Sequence, residues 1–332
     1  MESPFYFKRN VPIKWGVIGC GNVTEKKSVP AYQGIDGFEV EMVMGRNAEK
    51  VQDYTQRHQI PKWTTDVKEL LENPEIDAIY IATPPDSHKF YALEVAKAGK
   101  PCCIEKPMAS SYEESLAIYE SFERKNIPLF IAYYRRSLPR FLKVKQWLDE
   151  KQIGEVRHIH WQKSKPPNDL DLSREYNWRT DKKIAPGGYF DDLASHGLDL
   201  FAFLLGDIKE ANGFTTNQQR LYSAYDAISG AWLHENGITG DGFWNFGTQH
   251  REDKVEILGS DGKITFTVLD EGPVQLENAS GHHILDIPNP EHIQKFHAEN
   301  IKNHLQGIAE HPSTGKSGLQ ANWVMDKILG RI

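Results

Sequence analysis

Three short stretches combine residue types and spacings that could do chemistry. Gly19-Cys20-Gly21-Asn22-Val23-Thr24 stands between a β-branched apolar run, residues 13–19, and a segment that opens a helix. That is the setting of the G-x-G-x-x-G dinucleotide fingerprint, in which one glycine makes a tight turn and the next lets backbone approach a pyrophosphate. The helix start adds unpaired N–H groups and a favourable dipole. Gly19, Gly21, Asn22 and Val23 are therefore the expected phosphate contacts, with Thr24 in place of the third glycine. In the second stretch, Glu105-Lys106-Pro107 closes the apolar run 101–104, at the strand end where open α/β sheets bind ligands. The third, residues 186–199 (PGGYFDDLASHGLD), puts Asp192 and His196 at i and i+4 on one helix face. A carboxylate beside an imidazole orients it and favours its charged form, which gives a base suited to near-neutral pH. Taken alone, that spacing fits a polar, solvent-facing helix better; Lys106 also reads as a surface lysine, but one clamped between a Glu and a Pro at a strand end is less ordinary.

The end of the second strand bears on which nucleotide is bound. Sites for NAD place an Asp or Glu there to accept from the ribose 2′-OH. Here Met44 is followed by Gly45-Arg46-Asn47, with no acid. The Arg46 guanidinium can instead take a 2′-phosphate as a charge-assisted partner. NADP(H) is accordingly favoured over NAD(H).

These residues need elements to position them. Apolar runs at 13–19, 38–44, 77–82, 101–104 and 128–132 alternate with helical segments at 47–58, 66–72, 86–98 and 111–125. Asp66 is an expected N-cap, Asp86 or Ser87 another, Gly99 an expected stop, and Ser111 with Glu114 a capping box. Continuous apolar strands alternating with helices predict a parallel sheet covered on both faces. After a helix at about 138–151 the pattern becomes period-2 at 154–162, 211–216, 227–234, 240–246, 254–258 and 263–268. Asn212-Gly213, Asn236-Gly237 and Asp261-Gly262 read as tight turns between antiparallel strands. One helix, 189–205, interrupts this region, and the chain is helical again from 290, broken at 311–315. The fold class expected is α/β: an N-terminal doubly wound Rossmann sheet, then a C-terminal α+β domain with a large open antiparallel sheet. The seam falls near 133–137, giving residues 1–135 to the dinucleotide and 136–332 to substrate and oligomerisation, with the terminal helix packing back on the first domain.

Composition narrows the classes further. The chain has 332 residues, 39 Lys+Arg against 46 Asp+Glu, and a net charge of −7, with no basic block. A nucleic-acid partner is not expected, since such binding rests on neutralising phosphates. No apolar stretch is long enough to span a membrane, and residues 1–12 read as a short tail rather than a secretory leader. Three cysteines, two of them the adjacent Cys102 and Cys103, suit buried thiols in a reducing, cytoplasmic setting. His158 with His160 and His282 with His283 lack the companion ligands of a metal site, and no metal is expected.

The ordered set GCGNVT, TPPDSH, EKPMASS, YYRR, GGYFDDLASHGLD, KVEILGSDGKI and the closing PSTGKSGLQANWVMDKIL resembles the glucose–fructose oxidoreductase / inositol dehydrogenase (Gfo/Idh/MocA) family over nearly the whole chain. The resemblance implies an NAD(P)-dependent oxidoreductase acting on a secondary hydroxyl or carbonyl of a sugar, anhydrosugar or polyol. It puts the family's catalytic lysine on Lys106 and its aspartate and histidine on Asp192 and His196. His196 would exchange the hydroxyl proton, Asp192 orient it, and Lys106 polarise the reacting oxygen and hold the nicotinamide ribose. Thr83, Pro84, His88 and Glu105 join the expected cofactor contacts. Substrate contacts are expected from Arg135 or Arg136, from Tyr176-Asn177-Trp178-Arg179 and from Tyr189, with Trp178 serving equally well as core. A homodimer or homotetramer through the C-terminal sheet is implied in the same way. An NAD-dependent glycosidase of the family and a non-catalytic nucleotide-sensing protein are the alternatives. The first calls for an acid at Gly45, and the second for loss of Lys106 or His196.

Overall fold

The β-branched runs become strands and the capped polar segments become the helices that cover them. A computed structural model describes residues 7–8 and 11–332, so most of the N-terminal tail lies outside the described residues. The chain divides into two compact units, Met1–Leu138 with Asn289–Leu319, and Pro139–Pro288 with Gln320–Ile332.

The first unit alternates β1 (Ile13–Ile18), α1 (Val29–Gln33), β2 (Phe38–Met44), α2 (Ala48–Arg57), β3 (Lys62–Thr64), α3 (Val67–Glu72), β4 (Ala78–Ile81), α4 (His88–Ala98), β5 (Cys102–Ile104), α5 (Tyr112–Glu123) and β6 (Leu129–Ile131). All six strands are parallel, in the order β3-β2-β1-β4-β5-β6. The order reverses between β1 and β4, and ligands of such sheets bind outside the strand ends at that point. Trp15, Tyr32, Phe38 and Tyr80 form the aromatic centre of the core, with Trp15 and Tyr32 edge to face at 4.8 Å. Caps read from the sequence are present in part: Asp66 accepts from Lys68 N–H at 2.9 Å and Gly99 ends α4 in the left-handed region, while Ser111 accepts from Glu114 N–H at 3.2 Å but the Glu114 carboxylate does not complete the capping box. Neither Asp86 nor Ser87 caps α4 with its side chain; the Ser87 hydroxyl turns back to Thr83 Oγ1 at 2.8 Å. The edge strand β3 was not expected, because three residues after a proline carry no periodicity. Cys102 and Cys103 are fully buried, and burial pushes both thiols up.

The second unit holds α6 (Pro139–Asp149), β7 (Val156–Ser164), α7 (Asp169–Ser173), α8 (Tyr189–Leu205), β8 (Ile208–Thr216), β9 (Ala227–His234), β10 (Thr239–Asn245), β11 (Glu252–Gly259), β12 (Gly262–Phe266), β13 (Val274–Asn278) and β14 (Gly281–Leu285). Its eight strands run β14-β13-β12-β11-β7-β10-β9-β8, antiparallel except for the parallel pair β7 and β10. Asn236-Gly237 lies in the turn between β9 and β10 as expected; between β11 and β12 the two turn residues are Ser260 and Asp261, with Gly262 already the first residue of β12. Asn212-Gly213 does not: both lie inside β8, opposite Ala231 and Gly230, because pairing along β9 outweighs the local turn preference. After α9 (Lys295–Leu305), α10 (Gly315–Ile328) belongs to the first unit up to Leu319 and to the second from Gln320. Among the described residues no helix is long and apolar enough to cross a membrane.

Candidate functional site

Gly19 follows β1 with φ at +110°, a conformation that glycine adopts without a Cβ penalty. Its N–H donates to Met44 O at 2.8 Å, and a Cβ there would sit 2.9 Å from Ala82 O. The turn is thus pressed between the ends of β2 and β4. A Cβ on Gly21 would meet nothing within 4 Å, so this residue faces open space. Helical backbone starts at Asn22, runs as a π-helical turn over Thr24–Ser28 and continues into α1. Its first N–H groups have no intrahelical acceptor. Thr24 is fully buried and its Oγ1 donates to Gly21 O at 2.9 Å, so the hydroxyl ties the loop where a third glycine would only give room. An open glycine, a left-handed glycine and free N–H groups at one strand end fit a dinucleotide pyrophosphate.

At the end of β2, a side chain on Gly45 would approach Cys20 Sγ and Val51 Cβ to 3.0 Å each. A side chain at this position would press on Val51 of α2 and on the Cys20 thiol, which would have to give by a few tenths of an ångström. Arg46 beside it is exposed and has no ion pair among the described residues.

The β4 and β5 loops are joined by His88. The ring is fully buried, with Nε2 2.7 Å from Thr83 O and Nδ1 3.1 Å from Pro107 O and 3.3 Å from Met108 O. Burial lowers its pKa, against the nearby carbonyls. Glu105 also points inward, accepting from Tyr80 Oη–H at 2.6 Å, from Gln294 Nε2–H at 2.7 Å and from the Lys106 N–H at 3.1 Å. His88 and Glu105 hold the loop backbones, while Lys106 is half-buried at the loop's turn. Pro84 is half-buried too. Arg135 and Arg136 are buried within the first unit; Arg136 Nη1 donates to Pro312 O at 3.0 Å, and the Arg135 guanidinium lies 5.0 Å from the Tyr134 ring centre.

In the second unit, α8 carries Tyr189, Asp192 and His196, and a short helical turn before it carries Trp178 and Arg179. The adjacent acids separate by facing: Asp191 accepts from Gly187 N–H at 2.9 Å and from Arg331 Nη2–H at 2.8 Å, and burial pushes its carboxyl up. Asp192 faces the other way, and Arg179 Nε donates to its Oδ2 at 3.1 Å. His196 is 95% buried one turn on, being 5% exposed. Gly197 explains how close α8 comes to the sheet: a Cβ there would lie 2.2 Å from Trp161 Cζ3. The Arg179 guanidinium stacks over Trp178 at 4.2 Å, so Trp178 is half-exposed support for that arginine rather than core.

Tyr189 opens α8 and is buried with its hydroxyl in a network that the sequence did not reveal. It donates to Asp171 Oδ1 at 2.6 Å and accepts from Asn168 Nδ2–H at 3.0 Å and Asn177 Nδ2–H at 3.2 Å. Burial and Asp171 push the phenol up to about 12. Asn168, Asp171, Phe246 and Lys165 were not among the expected site residues; the one local signal was the Asn168–Asp171 capping box of α7. His158 Nε2 and His160 Nδ1 both contact the Asp241 carboxylate, at 2.6 and 3.0 Å, on the sheet face away from buried Trp161.

Residues 13–133 match the family described as "Oxidoreductase family, NAD-binding Rossmann fold", and residues 141–265 match the "GFO/IDH/MocA C-terminal domain". An oxidoreductase of Formosa agariphila is 35% identical over 321 residues, 96% of this chain and 98% of the relative. A 1,5-anhydro-D-fructose reductase of Ensifer adhaerens is 24% identical over 92% of each chain. A solved structure of levoglucosan dehydrogenase in complex with NADH has the same fold, with a TM-score of 0.87 over 96% of each chain at 22% identity. With both family domains in order and a full-length relative at that identity, this chain belongs to the GFO/IDH/MocA family of oxidoreductases with an NAD-binding Rossmann fold.

Proposed function

We propose that the chain is a sugar or polyol dehydrogenase or reductase, working between a secondary hydroxyl or carbonyl of a sugar, anhydrosugar or polyol and NADP(H) in preference to NAD(H). The observation that carries this reading is the α8 face, where Asp192 is held by Arg179 at 3.1 Å and His196 follows one turn later. When bound, the nicotinamide supplies the hydride donor or acceptor; the protein supplies position and proton handling. His196 takes the hydroxyl proton in oxidation and returns it in reduction. Asp192, fixed by Arg179, keeps the imidazole oriented. Lys106, on a loop tied down by Glu105 and His88, polarises the reacting oxygen. Gly19, Gly21, Asn22 and Val23 cradle the pyrophosphate. NADP(H) preference is supported by exposed Arg46 and by the close packing around Gly45, where no acid stands. The first unit holds the cofactor and the second the sugar. Assembly through the C-terminal sheet belongs to the same reading, supported by apolar side chains left on it, Phe214 being 82% exposed. A cytoplasmic setting is supported by three free thiols.

The test is turnover with NADP, NADPH, NAD and NADH across aldoses, ketoses, anhydrosugars and inositols, for the native chain and for Lys106→Ala and His196→Ala. Loss of a general acid–base group lowers kcat about 10²- to 10⁴-fold. No turnover of any substrate, or unchanged rates in both variants, refutes the proposal.

A further inference from the structure

Lys165 follows the last residue of β7 and precedes Pro166-Pro167, so the chain leaves the sheet extended and stiff at this point. Its N–H donates to Asn245 O at 3.0 Å, anchoring the residue to the end of β10. The ammonium lies 3.8 Å from the Tyr189 ring centre and 5.8 Å from that of Phe246. Both rings are held, 5.4 Å apart, and Tyr189 cannot turn without breaking its three hydroxyl hydrogen bonds. This platform also belongs to the first residue of α8, three positions before Asp192.

Among the described residues Lys165 has no carboxylate within ion-pair distance, whereas the charges around it are engaged. Asp192 holds Arg179; Asp270 holds Arg251 at 3.0 Å and Lys163 at 3.4 Å; Asp171 accepts from Tyr189 Oη–H and Asn168 N–H. A half-buried cation without a counter-ion is costly, and an anion arriving with a ligand relieves that cost most fully. In keeping with this, burial pushes the Lys165 ammonium down, and Asp171 and Asp192 only partly oppose it.

We propose that Lys165 is a specificity-determining residue of the sugar site, binding an anionic substituent of the substrate, a carboxylate or a sulfate ester, on the platform of Tyr189 and Phe246. The inference rests on the dehydrogenase reading above and names the class of sugar that it accepts.

The experiment measures kcat/KM with NADP(H) for matched sugars: neutral aldoses, the corresponding uronic acids, and the aldoses carrying a sulfate ester. The native chain is compared with Lys165→Gln and Lys165→Arg. A hydrogen bond to a charged group corresponds to roughly a 10- to 100-fold effect. The expected result is that Lys165→Gln loses that factor on an acidic sugar through KM, changes little on the neutral one, and that Lys165→Arg restores it. Whether the uronic acid or the sulfate ester shows the loss identifies the source of the anion. Equal loss on neutral and acidic sugars, or no loss on either, overturns the inference while neutral-sugar turnover leaves the dehydrogenase reading standing. Absence of turnover with every sugar overturns both.

Discussion

Acid should destabilise the cofactor unit through one histidine that the fold keeps neutral. His297, on α9, is fully buried and stands edge to face with His311 at 4.6 Å, its Nε2 3.7 Å from Cys103 Sγ. Burial alone takes its pKa down from 6.5 to about 3. The sign follows from which state binds the proton: below pH 6.5 the unfolded chain takes it up and the folded chain does not. The stability tied to this group is therefore complete above the unfolded pKa and is lost as pH falls through the window from 6.5 to about 3. Within the window the slope is about 1.4 kcal/mol per pH unit, so going from pH 7.5 to pH 5 costs about 2 kcal/mol from His297 alone. His311 is pushed down by the same burial and adds in the same direction. Urea unfolding of the native chain and of His297→Gln at both pH values isolates the term. The variant is expected to lose about 2 kcal/mol less on acidification, and the His297 ring signal of the native chain in NMR should not titrate above pH 5. A ring that titrates near pH 6.5, or parallel losses in the two chains, would refute the reasoning.

Three further expectations follow from the sites. Gly197→Ala drives a methyl into the Trp161 ring, which cannot yield because its Nε1 donates to Asp253 at 2.9 Å; the cost is about 1–3 kcal/mol, read as a lower thermal midpoint, and a midpoint equal to the native one counts against the close approach. Arg46→Ala should lower kcat/KM for NADPH roughly 10- to 100-fold with little effect for NADH, and equal effects on both would remove Arg46 from the 2′-phosphate. His88→Gln should weaken NADPH binding in a fluorescence titration and cost about 1–3 kcal/mol of stability, since it loosens both loops at once; native affinity with native stability would show that the bridge is not needed.

Local signals were legible wherever the chemistry is local. Gly19 must turn with positive φ, Asp66 and Ser111 cap the helices that follow them, and Gly99 stops α4, because each depends on neighbours a few residues away. The alternation of apolar runs and helices fixed the parallel sheet for the same reason, and the i, i+4 spacing of Asp192 and His196 follows from helix geometry. Asn212-Gly213 has the composition of a turn, yet a neighbouring strand holds it extended. Which of Asp191 and Asp192 faces inward depended on Arg331 and Arg179, residues distant in the chain or beyond the helix start. The Tyr189 network and the placing of Lys165 over its ring were decided in the same way, by which segments the eight-stranded sheet brings against α8. Backbone conformation and periodicity are properties of short stretches and can be read from them; the partner of a charge is set by the packing of whole elements, and only the tertiary structure supplies it.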